Sequence, residues 1–319
     1  MKVAVLFTGA LRTIKKTIKY FKENVLLNEN IHVFACVQND TNISDTECDD
    51  WIRDEIGNNL KSIEWFNIIS HQHWVQHRDY LLSNMVIDDN IKYYLKNSGS
   101  MIEYYQLQLA YIKMMNYEFS QNIKYDYIIR LRTDTIFAKP VDFHWLNWND
   151  NEVNDRVEKI KNTLIENNIE LSQTNIITYF MQTLLSDDII NNISNITGQF
   201  YKNRDILIDF ENLNNYIKKG SYILTFRKNL LYIVKREYFY LIPSIGTFYG
   251  FINSDITESN YRWNAENQFQ SACFNSNLSI YDYTTLFDEN SLYKYNENTY
   301  FDKDYKIINP YMVYCIIRY

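Results

Sequence analysis

The sequence predicts an α/β fold: a mostly parallel sheet flanked by helices, with a helical insertion in the second half of the chain. Two observations carry this. Short continuous apolar runs alternate with stretches in which apolar residues recur every three to four positions. The runs also lack the polar alternation of a sheet with one wet face, so both of their faces are expected to be covered. Strand–helix–strand order of this kind builds parallel sheets, because a parallel connection needs a crossover long enough for a helix.

Lys2–Phe7 reads as the first strand. After Thr8-Gly9-Ala10, the segment Arg12–Leu27 places Ile14, Ile18, Phe21 and Val25 on one helical stripe. His32–Val37 is the second strand, ending in Gln38-Asn39-Asp40, and residues 41–60 are polar and acidic. Ser62–Ile69 reads as a third strand. Ser98-Gly99-Ser100 then caps a long helix in which Met101, Tyr105, Leu109, Ile112 and Phe119 repeat at helical spacing. Tyr125–Arg132 is the fourth strand. From about Asn149 to Lys219 the chain is rich in Asn, Asp, Glu and Lys, with apolar helix-like stretches and no clear strand, and residues 149–220 read as the helical insertion. Tyr222–Phe226 and Leu230–Arg236 form a hairpin turning at Lys228-Asn229. Asn264–Asn275 suits a short helix, while Leu278–Tyr283 and Tyr311–Ile317 suit strands. One domain, 1–319, holds all of this, its parts 1–140 and 221–319 lying either side of the insertion.

Composition removes several classes. The 319 residues carry 32 Lys and Arg against 39 Asp and Glu, a net charge of −7. That balance argues against nucleic acid held by phosphate attraction, and against a polybasic membrane surface. With 46% apolar and 22% charged residues, a sizeable core is expected. Only 7 glycines occur, and neither GxGxxG nor GxxxxGK[ST] can be written, which lowers dinucleotide-dependent dehydrogenases and P-loop kinases. The apolar run before Arg12 is too short for a signal peptide. The run Tyr222–Pro243 is broken by Arg227, Lys228, Lys235, Arg236 and Glu237, so no transmembrane segment is expected. Cys36, Cys48, Cys273 and Cys315 show no paired spacing and read as free thiols, which points to the cytoplasm.

The chemistry concentrates in Tyr125-Asp126-Tyr127-Ile128-Ile129-Arg130-Leu131-Arg132-Thr133-Asp134. Side chains alternate along a strand, so Arg130, Arg132 and Asp134 share one face and Ile129 and Leu131 take the other. In a parallel strand this trio stands at the carboxyl end, where open α/β sheets bind ligands. Arginines grip phosphate oxygens through bidentate hydrogen bonds, and a carboxylate can hold a divalent cation that bridges the same phosphates. The inert alternative is an Arg–Asp ion-pair cluster at a sheet end. Two other features, the His73/His77 pair at i,i+4 and the doublet Asp49-Asp50, read as solvated surface.

The string resembles the region around the DxD motif of type-A-fold (GT-A) glycosyltransferases, in a variant written Arg-x-Arg-x-Asp. Val3–Thr13, an apolar strand followed by Gly9 and Arg12, is similar to the first strand and turn of those proteins, which occur in bacteria and large DNA viruses. The likeness covers roughly residues 1–140 and, more loosely, 222–285, and implies a Rossmann-type sheet. It also implies a nucleoside diphosphate sugar lying across the carboxyl end of the sheet, with 1–140 as the nucleotide-sugar-binding half and 221–319 as the acceptor-side half. On that resemblance Thr8, Gly9 and Arg12 meet the donor, Gly9 letting the backbone approach and Arg12 contacting diphosphate or base. Gln38 and Asn39 meet base or ribose, Gln106 lies on the helix before the fourth strand, and Arg130 and Arg132 face the diphosphate. Asp134 is the expected Mn²⁺ or Mg²⁺ ligand. Arg132 stands where the first DxD carboxylate would be, and a metal-free alternative leaves the arginines to neutralise the leaving diphosphate. Glu266, opening the helix after Trp263, is the expected catalytic base beside Asp134, and an inverting reaction needs such a base. Trp263 is placed to stack on an acceptor sugar. Tyr249, within Gly246-Thr247-Phe248-Tyr249-Gly250, belongs to an acceptor-side turn.

The implied reaction is transfer from a nucleoside diphosphate sugar, UDP- favoured, to a hydroxyl of a glycan or glycoprotein, in the host cytoplasm if the chain is virus-encoded. The rivals are an inactive nucleotide-sugar-binding or scaffold protein of the same fold, and a nucleotidyltransferase.

Overall fold

In the computed structural model the described residues are 1–27, 29–84, 88–97, 99–137, 140, 148–172, 175–176, 179–180, 196–201, 222–226, 231–240, 269, 273, 278–285 and 314–316. Strands β1 (Val3–Ala10), β2 (Ile31–Gln38), β3 (Leu60–Trp65) and β4 (Tyr127–Arg132) lie in the order β3-β2-β1-β4, each parallel to its neighbour. After β4 come β5 (Thr135–Phe137), β6 (Ile196–Tyr201), β7 (Tyr222–Phe226), β8 (Leu231–Lys235), β9 (Ser279–Thr285) and β10 (Tyr314–Ile316). The sheet continues from β4 through β8, β7 and β9 to β6. In this part β8 runs antiparallel to β4 and to β7, β9 is parallel to β7, and β6 is antiparallel to β9. β5 and β10 form a separate antiparallel pair. The expected α/β fold is therefore present, parallel in its N-terminal part and mixed beyond β4.

Both faces of β1, β2 and β4 are covered, as their largely apolar runs require. On one face Val3, Val5 and Phe7 of β1, Val33, Ala35 and Val37 of β2, and Ile129 and Leu131 of β4 form a core. Helices α1 (Ile14–Asn24), α2 (Asp45–Ile56) and α6 (Asp150–Glu166) contribute to it through Ile14, Ile18, Phe21, Cys48, Ile52, Ile56, Val153, Ile160 and Leu164. The Phe7 and Phe21 rings stack at 4.8 Å. On the opposite face Ala4, Leu6, Phe34, Cys36, Ile128, Tyr232 and Val234 meet helices α3 (Gln72–Asn84), α4 (Asp89–Asn97) and α5 (Gly99–Gln121). Among the described residues no helix is long and apolar enough to cross a membrane.

Several expectations need correction. Residues 41–60 hold α2, started by a capping box in which Ser44 Oγ accepts from Glu47 N and the Glu47 carboxylate accepts from Ser44 N. Asp49, read as part of a solvated doublet, lies on this helix and accepts from Arg53 and from Trp65 Nε1. The expected stripe of α5 holds only in part: Met101 and Tyr105 are buried and Leu109 packs against the same core. Tyr104, Leu107, Tyr111 and Met114 face the sheet, whereas Ile112 is 39% and Phe119 91% exposed. Tyr104 and Tyr111 bury their apolar rings here, and the buried face leaves Ile112 and Phe119 towards the C-terminal end of the helix outside. The first helix is preceded by a 3₁₀ turn, Leu11–Thr13, and the insertion is not wholly helical, since β6 lies within it. The 222–236 hairpin is present, with Phe226 opposite Leu231. Of the helix expected at Asn264–Asn275, Phe269 and Cys273 lie within the described residues, both helical and buried.

Candidate functional site

The carboxyl end of β1 is joined closely to the turn that follows β4. Thr133 N donates to Thr8 O (3.0 Å), Thr133 Oγ1 donates to Ala10 O (2.6 Å), and Thr17 Oγ1 of α1 donates to Thr133 O (2.6 Å). Gly9 lies under this turn with φ +129°, and a Cβ there would stand 2.8 Å from Thr133 Oγ1. A side chain is excluded twice, by the backbone conformation and by the lack of space. In the folded chain the close approach that Gly9 permits is to Thr133.

Next to this junction is a cluster of charges. Arg130 and Arg132 stand on the α5 side of β4, opposite Ile129 and Leu131, as strand alternation requires. The chain runs from α5 into β4, which sets the first turns of α5 above the carboxyl ends of the strands. From there Glu103 reaches both arginines: Arg130 Nη2 donates to Glu103 Oε1, and Arg132 Nη1 lies 3.5 Å from Glu103 Oε2. On its other side Arg132 forms a fork with Asp134, Nε to Oδ1 at 2.9 Å and Nη2 to Oδ2 at 2.8 Å. The Arg130 guanidinium also lies 5.4 Å from the centre of the Tyr232 ring.

Burial separates the two arginines. The Arg130 side chain is 1% exposed and Arg132 is 19% exposed, so Arg132 is the one a dissolved anion can reach. Arg130 supports Glu103 from beneath. Burial alone would favour a neutral Arg132, but Glu103 and Asp134 outweigh it and hold the guanidinium more firmly protonated than usual. Burial pushes the neighbouring hydroxyls of Tyr104 and Tyr232 up, so both stay neutral.

Thr8 is fully buried and directly opposite Arg132 in the β1–β4 register, and among the described residues its Oγ1 has no hydrogen-bond partner. Arg12 is exposed in the 3₁₀ turn just past β1, at the same end of the sheet. Asn39 is engaged locally: its Nδ2 donates to Ile43 O and Asp45 Oδ1, and its Oδ1 accepts from Thr41 N and Oγ1. It therefore shapes the loop into α2. Gln38, half-buried, ends β2, and Gln106 is buried on α5 three residues beyond Glu103. Glu266, Trp263 and Tyr249 lie outside the described residues. His73, read as surface, has Nε2 2.9 Å from Tyr105 Oη.

The chain matches no family model and no curated protein. Its site is read from its own chemistry: a partly exposed, firmly charged guanidinium, a buried hydroxyl unpartnered among the described residues, and an exposed arginine at one end of a parallel sheet. That combination suits an anion with several oxygens.

Mn²⁺ or Mg²⁺ on Asp134 fits this arrangement poorly. Both carboxylate oxygens of Asp134 accept from Arg132, and the side chain is 6% exposed. Among the described residues no three His, Cys, Asp or Glu side chains come together as a ligand set. Sequence reading overlooked Glu103. A carboxylate one turn into the helix leading to an Arg-bearing strand was the available signal, since crossover geometry returns that helix start to the strand's carboxyl end.

Proposed function

We propose that this chain is a glycosyltransferase moving a sugar from a nucleoside diphosphate sugar, UDP- in preference to GDP-, onto a hydroxyl of a glycan or protein. The observation that carries this reading is the convergence of Arg130 and Arg132 on Glu103 at the carboxyl end of the parallel strands. Open α/β sheets bind ligands at that end. A diphosphate leaving group gathers negative charge as the glycosidic bond breaks, and a fixed guanidinium stabilises it without reorganising. Arg132 supplies that charge, Thr8 Oγ1 an O–H donor, and Arg12 a second cation at the rim. Gln38, at the end of β2, is assigned to the base or ribose on the sequence resemblance. Glu266 is assigned as base, with Trp263 and Tyr249 on the acceptor side, on the sequence resemblance. The free, buried Cys36, Cys48 and Cys273 support a reducing compartment, the cytoplasm.

A second reading has its own support. Two guanidinium groups facing two carboxylates are electrically balanced, as an ion-pair cluster in a non-catalytic binding protein would be.

Titrating UDP- and GDP-sugars while following thermal unfolding and donor hydrolysis separates these readings. Stabilisation with slow hydrolysis supports the transferase, and stabilisation without turnover supports the binding protein. No stabilisation by any nucleotide overturns both.

A further inference from the structure

We propose that Arg132, gripped between the carboxylates of Asp134 and Glu103, occupies the role of a divalent cation, so that this site binds a nucleoside diphosphate without metal. The inference rests on the diphosphate reading above and specifies how that site handles charge.

In a metal-dependent diphosphate site, carboxylates present oxygens to an ion that in turn holds the phosphates. Here the carboxylates at the sheet end point to a guanidinium instead. Asp134 is forked onto Nε and Nη2, Glu103 faces Nη1, and Glu103's other oxygen is held by the buried Arg130. To receive a dication, Asp134 would have to share its oxygens with two charge-assisted hydrogen bonds, and Arg132 would have to tolerate a second cation against it. The fork to Asp134 uses Nε and one Nη2 hydrogen, and the Glu103 contact at Nη1 is longer than a hydrogen bond. The Nη1–Nη2 end of the guanidinium is thus the side from which it can grip a phosphate. A second observation points to the same ligand. Thr8, fully buried and in register with Arg132 on the neighbouring strand, has a hydroxyl with no partner among the described residues. Thr8 Oγ1 is itself sealed from solvent, so a phosphate oxygen accepts from it only by entering beside Arg132 as the ligand binds. Arg130, beneath Glu103, holds that carboxylate in place.

The test is isothermal titration of the full chain with UDP and with GDP, in EDTA and in Mn²⁺. The inference expects the affinity of the preferred nucleotide to agree within about twofold between the two conditions, because a guanidinium already supplies the charge. An affinity at least about tenfold higher in Mn²⁺ than in EDTA overturns the inference and leaves the donor reading standing. No binding in either condition overturns both. Arg132→Ala supplies a readout that needs no nucleotide. With the guanidinium gone, Glu103 and Asp134 face a vacated cation position, and Mn²⁺ binding followed by electron paramagnetic resonance should tighten by about tenfold or more over wild type. Asp134→Asn added to Arg132→Ala should abolish that gain. Unchanged Mn²⁺ binding in a folded Arg132→Ala chain also overturns the inference. If that variant does not fold, the wild-type comparison still decides.

Discussion

Thr8 and Arg132 face each other across the β1–β4 ladder, one a buried hydroxyl without a partner among the described residues and the other a guanidinium forked onto Asp134. Native interiors rarely leave a buried hydroxyl unpaired, so each such group calls for an explanation.

Thr8→Val keeps the shape and removes only the hydroxyl. Folding stability should be unchanged or slightly higher, because an unpaired polar group leaves the interior. Nucleotide affinity should fall by roughly three- to tenfold, the contribution of one hydrogen bond. Urea denaturation and calorimetric titration on the same preparation test the two halves. A large loss of stability with unchanged affinity would give Thr8 a purely structural role.

Gly9→Ala forces a β-carbon against Thr133 Oγ1 at a left-handed backbone position. The expected cost is about 1–3 kcal/mol in unfolding free energy. Part of it is steric, so Thr133→Ala in the same chain should recover some of the loss. A double-mutant cycle measures that coupling, and strict additivity would place the strain elsewhere.

Glu118 holds Arg236 through both of its oxygens and also accepts from Tyr125 N, joining α5 to the start of β4 and the end of β8. Arg236 also donates to Tyr111 Oη. Glu118→Ala leaves this half-buried guanidinium without its counterion, and about 3 kcal/mol should be lost. The denaturant midpoint should move while the m-value stays constant.

His32 predicts a pH dependence. Burial, then the nearby Lys61 and Lys2, lower its pKa from the usual 6.5, and its Nδ1 lies 2.6 Å from Tyr125 Oη. The unfolded chain therefore takes up the proton at a higher pH than the folded one. This contribution to stability is complete above about pH 6.5 and declines as the pH falls below it. His32→Gln should flatten the stability curve between about pH 6.5 and pH 5. An unchanged slope would mean that other groups set the acid limb.

The parallel half of the fold was legible because its signals are local. Val3–Ala10 and Ile31–Gln38 are nearly unbroken apolar runs, which suit strands covered on both faces, and Tyr127–Arg132 is apolar apart from its two arginines. Ile14, Ile18, Phe21 and Val25 mark the buried stripe of the first helical segment with no help from context. Helix α2 was equally local, and its Ser44–Glu47 capping box stood in the sequence unused. The phase of α5 was legible only in part, through Met101 and Tyr105. Tyr104 and Tyr111 can bury a ring or expose a hydroxyl, and only the sheet beneath them chose.

The sequence by itself determined that Arg130 and Arg132 share a strand face near the carboxyl end of a parallel sheet, because strand alternation and crossover connection are properties of the chain. The tertiary structure alone decided what those arginines meet. Glu103 is 27 positions before Arg130 and Thr8 more than a hundred before Arg132, and no periodicity links such distances. Packing α5 across the sheet brought Glu103 to both guanidinium groups, sealed Arg130 beneath it, and left Arg132 within reach of solvent.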